Sequence, residues 1–210
     1  LGQCTGMLSP QRLNILIHAF RQAQASGLHA TIQPPVLDLQ TEICGLLQRH
    51  KLHTSPLQKP SKKVRASMQC CTPHYIANAL RQHALVTKEK FASPLDFNPD
   101  YDCYWSTHSR DAVFGANINA HDTKFTGFSY CYPETDEILF CNLVDHALRS
   151  AMSVAAPTAS FILLPDTNGW QKHGCISCLQ NYPQHVCTLA HVPPKSILLP
   201  HVEAWFNYPN

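Results

Sequence analysis

Apolar and polar positions along the chain fall into two regimes, and the change comes near residues 85 to 90. Before it the pattern is helical. Ser9-Pro10 supplies a hydroxyl cap followed by proline at the first helical position; Leu13, Leu16, Ile17 and Phe20 then recur every three to four residues, and Ser26-Gly27 stops the run. A second helix is predicted from about Val36 through Leu39, Ile43, Leu46 and Leu47, entered by Pro34-Pro35. Residues 53 to 71 are polar and basic without periodicity, which predicts a linker or exposed arm. Thr72-Pro73 opens a third helix with Ile76, Ala79, Leu80 and His83 on one side.

From Val86 onward, short apolar runs alternate with helical segments, the pattern of an α/β sheet. Strands are predicted over 90–93, 101–106, 125–131, 160–165 and 186–191, with a last short one at 197–199. Between the third and fourth lies a helix over 136–155, in which Leu139, Leu143, Ala147 and Met152 fall near helical spacing and which Ala156-Pro157 ends. A second is predicted over 170–182, after the continuous apolar run Phe161-Ile162-Leu163-Leu164 that suits a central parallel strand. The division is thus a helical region at 1–85, with its basic linker, and an α/β domain at 86–210.

Composition narrows the picture. With 210 residues, 44% of them hydrophobic, the chain can bury one sizeable core. A charged fraction of 14% is low and suggests a covered surface or a part of something larger. The start at Leu1 and the stop after an aromatic run read as a segment cut from a longer polypeptide, truncated at its C-terminus. A net charge of +2 creates no field from which nucleic-acid binding could be argued. Locally, Lys59, Lys62, Lys63 and Arg65 form a basic cluster suited to phosphate contact with DNA or RNA. No run approaches the roughly 20 apolar residues that cross a bilayer, and the ten cysteines are scattered through apolar patterns, as reduced thiols would be. An intracellular protein, nuclear or cytoplasmic, is expected.

The order of pieces in the second half carries a resemblance. Phe91-Ala92-Ser93-Pro94-Leu95-Asp96, an aromatic strand at 101–105, Arg110-Asp111-Ala112-Val113, the run from Phe125 to Pro133, a helix and then Phe161 to Asp166 together resemble the Dam-type DNA adenine-N6 methyltransferases, including phage enzymes and the methyltransferase-like domains of DIRS-type retroelements. The resemblance covers roughly residues 86 to 195. It implies a Rossmann-like methyltransferase sheet with S-adenosylmethionine as cofactor, bound beside Phe91, Ala92 and Ser93, with Asp111 near it.

The resemblance also places Tyr132-Pro133-Glu134-Thr135 where those enzymes carry their catalytic Asn/Asp-Pro-Pro-Tyr/Phe tetrapeptide. An exocyclic amine needs two acceptors to hold its hydrogens, and an aromatic ring to stack on the extruded base. Here Tyr132 replaces the amide or carboxylate, Glu134 the second proline and Thr135 the aromatic; only Pro133 fits. The expected function is therefore a degenerate, non-catalytic methyltransferase-like domain, a pseudoenzyme within a larger polypeptide or assembly with a protein partner. An active adenine-N6 methyltransferase, with Glu134 as acceptor and Tyr132 stacking on the base, and a structural subunit of a nucleoprotein complex are the alternatives.

Three rival chemistries are weaker. His173, Cys175, Cys178, His185, Cys187 and His191 offer zinc-ligand types, but without two clear knuckles. Cys131 with His146 or His121 and Asp145 would be a cysteine hydrolase without a nucleophile turn. Asp96, Asp100 and Asp102 lie among prolines and lack the glycine that a calcium loop needs.

Overall fold

A computed structural model of the protein describes residues 8–53, 72, 74–132, 137–153, 155–163, 179 and 181–187. Helix α1 spans Pro10–Ala25, and its start is built as its sequence suggests: the Ser9 hydroxyl accepts the Arg12 backbone N–H at 3.3 Å, with proline at the first position. Its end is Ser26 followed by Gly27, which takes the left-handed conformation at φ +78°. The buried stripe is Arg12, Leu16, Phe20 and Ala23, so an arginine heads the apolar face.

Helix α2 spans Leu39–His53 and begins later than Val36. Pro34 and Pro35 cannot donate to a helical ladder, and the first residue able to cap is Asp38, whose carboxylate accepts the Thr41 N–H at 3.1 Å and the Thr41 hydroxyl at 2.7 Å. Helix α3 covers His74–Ala84 and helix α4 covers Glu137–Ser153. Among the described residues no helix is long and apolar enough to cross a membrane.

Five parallel strands form one sheet: β1 (Lys88–Glu89), β2 (Cys103–Ser106), β3 (Asn117–Ile118), β4 (Gly127–Cys131) and β5 (Thr158–Ile162). Their order is β3-β2-β1-β4-β5, so the chain steps one way from β1 and then returns to lay β4 on its other side. The α/β class, with a parallel sheet and helices, is thus present. Register and alternation sort the side chains. Glu89, Tyr104 and Tyr130 are aligned on one face, where α3 packs through Ala77, Leu80 and Ala84, and α1 through Ile15 and Ala19. On the other face α4 brings Phe140, Leu143, Val144 and Ala147 against Phe125, Cys131 and Trp105.

Several strand limits differ from expectation. β1 ends at Glu89 instead of covering 90–93, although Lys90 N–H still reaches the Tyr130 carbonyl at 2.9 Å and Ala92 N–H reaches that of Trp105 at 3.0 Å. Regular pairing ends there because Pro94 has no N–H and the chain turns back over Ser93 to Phe97. β2 starts at Cys103, after a turn in which Tyr101 N–H bonds the Asn98 carbonyl, and β4 starts at Gly127, whose φ of +68° bends the chain after Phe125. β5 starts two residues early, at Thr158. β3, two residues long, had no apolar run to announce it. Residues 186–187 are not strand, while 188–191, 197–199 and most of the helix expected over 170–182 lie outside the described residues.

Candidate functional site

In an open α/β sheet, ligands bind beyond the carboxyl ends of the strands at the point where strand order reverses. Here that point lies between β1 and β4. The parallel arrangement brings three groups to the same side of the sheet: Phe91, Ala92 and Ser93 follow β1, Asp111 follows β2, and Tyr132 follows β4. Pro133, Glu134 and Thr135 lie outside the described residues, as do Lys59, Lys62, Lys63 and Arg65.

The chain leaving β1 folds inward. Ala92, Ser93, Leu95, Asp96, Phe97 and Asn98 are all buried. Asp96 Oδ1 accepts from both the Ser93 backbone N–H and the Ser93 hydroxyl, the latter at 2.7 Å, closing a small loop on itself. Phe97 stacks on Tyr104 with centroids 4.2 Å apart, and its carbonyl accepts from Arg12 Nη1 at 3.0 Å. Glu89, the last residue of β1, accepts the Asn98 N–H at 2.8 Å. Burial pushes Glu89 up to about 8, against the pull of the Asn98 hydrogen bond, with Asp96 adding to the rise. Asp96 is likewise raised by burial, to about 6, while its bonds from Ser93 and the Arg12 charge hold it lower than burial alone would.

Asp111 is wholly buried in the 3₁₀ segment Ser109–Phe114, which ends on Gly115 at φ +81°. Its two oxygens are both engaged, one by Arg49 Nη2 of α2 at 2.6 Å and the other by the Ser106 hydroxyl at 2.7 Å. The neighbouring Arg110 reaches back to Glu42 of α2, with Nε to Oε2 at 2.9 Å. Burial raises Glu42, but its bonds from Arg110 and Leu37 outweigh it and the carboxyl sits below its ordinary value. Two crossed ion pairs therefore tie α2 to the segment after β2.

On the α4 face, sequence reasoning missed a cluster. Lys90 is 2% exposed, and its Nζ lies 3.2 Å from the ring centroid of Trp105 and 4.8 Å from that of Phe125. Phe125 contacts His146, His146 contacts His121, and His121 contacts Phe91, each edge-on at 4.7 to 5.4 Å. Burial pushes Lys90 down to about 8, helped by the like charge of Lys88. His121 is lowered by burial and then by His146. A lysine in a short strand reads as an edge residue. Only the register shows that it is central.

Two surface clefts, of ≈ 450 and ≈ 540 Å³, lie along α1, one toward the 28–38 loop and the other toward Phe97, Pro99 and Tyr104. Neither is lined by Phe91, Ala92, Ser93, Asp111 or Tyr132. The Cys131 thiol is buried and pushed up to about 12, which leaves it protonated and inert as a nucleophile. Among the described residues no group of three or more metal-ligating side chains converges; His173, Cys175, Cys178 and His191 lie outside them. No protein-family model and no curated protein matches this chain.

Proposed function

We propose that the chain is a degenerate S-adenosylmethionine-dependent nucleic-acid methyltransferase-like domain, Rossmann-like in fold and non-catalytic, serving within a larger polypeptide or assembly. The strand order, with its reversal beside Phe91 to Ser93 and Tyr132, supports the descent. The observation that carries the loss of catalysis is the filled crevice. Residues 92 to 98, at the place a cofactor would lie, bury their own side chains, and both Asp111 oxygens are taken by Arg49 and Ser106. Binding there would have to displace a folded segment and uncover a buried ion pair, which costs several kcal/mol.

Calorimetric titration of folded protein with S-adenosylmethionine and S-adenosylhomocysteine tests this. The expected result is no heat of binding at cofactor concentrations up to the millimolar range. Micromolar binding would overturn the reading in favour of an active amino-methyltransferase, with Tyr132 and Glu134 as its first residues to mutate.

A further inference from the structure

We draw no further inference here: the strongest candidate, the ≈ 540 Å³ cleft between α1 and the chain from Phe97 to Tyr104, has an aromatic floor already engaged from within, Phe97 stacking on Tyr104 and meeting the Arg12 guanidinium, and nothing in the structure shows what covers its exposed rim of Asn14, His18, Gln22 and Asp102.

Discussion

At the scale of single residues, the heart of the sheet carries charge where its patterning suggests apolar filling. Glu89 is the clearest case, because the cost of its burial can be read from pH. Its folded value is raised to about 8 from an ordinary 4.5, so its contribution to stability is fully present below pH 4.5 and is lost as pH rises toward 8. The full span corresponds to on the order of 5 kcal/mol. Glu89→Gln keeps a side-chain carbonyl for the Asn98 N–H and has no proton to lose. Urea denaturation at pH 5 and pH 8 should therefore show the variant gaining on the native protein by several kcal/mol at the higher pH. Asp96, raised chiefly by burial as well, is present in both proteins, and it loses only its repulsion from Glu89 in the variant. Equal pH dependence of the two would mean that water reaches the Glu89 carboxylate.

At the scale of elements, α2 is fastened to the segment after β2 by charge as well as by the packing of Ile43, Leu46 and Leu47 against Val113 and Phe114. The Arg49–Asp111 pair has one member wholly buried, so removing the arginine strands a carboxylate without its partner. Arg49→Ala should cost about 3–5 kcal/mol. Most of that is a penalty for the orphaned charge, and Asp111→Asn in the same chain should recover part of it. In a double-mutant cycle read by urea denaturation, a coupling energy above about 1 kcal/mol is expected, the range for residues in direct contact. Additive losses would show that Asp111 is held by Ser106 alone.

At the scale of the molecule, what was legible in the sequence was what local chemistry decides. The caps of α1 and the periodicity of α4 fixed those helices to within a residue or two. The parallel sheet followed from alternation of strand and helix. Strand limits were not legible, because β1 and β3 are two residues long and are defined by their neighbours. Nor were the partners of Asp111 or the aromatic seat of Lys90, which depend on residues 62 positions away in one case and on register in the other.

The same long-range packing bears on whether the chain folds in one step. Leu8, Leu16, Phe20, Ile43, Leu46 and Leu47 from the helical region share one cluster with Leu95, Val113 and Phe114 from the α/β region. Arg12 of α1 bonds the carbonyl of Phe97, 85 residues on. Neither set can be exposed without uncovering the other, and a shared core makes unfolding cooperative. Thermal unfolding followed by far-ultraviolet and aromatic circular dichroism should give coincident single transitions. Phe20→Ala, a truncation inside the shared cluster, should cost about 3–5 kcal/mol and lower both signals together. Two separated transitions, with Phe20→Ala moving only one, would instead mark residues 1–85 and 86–210 as independently stable units.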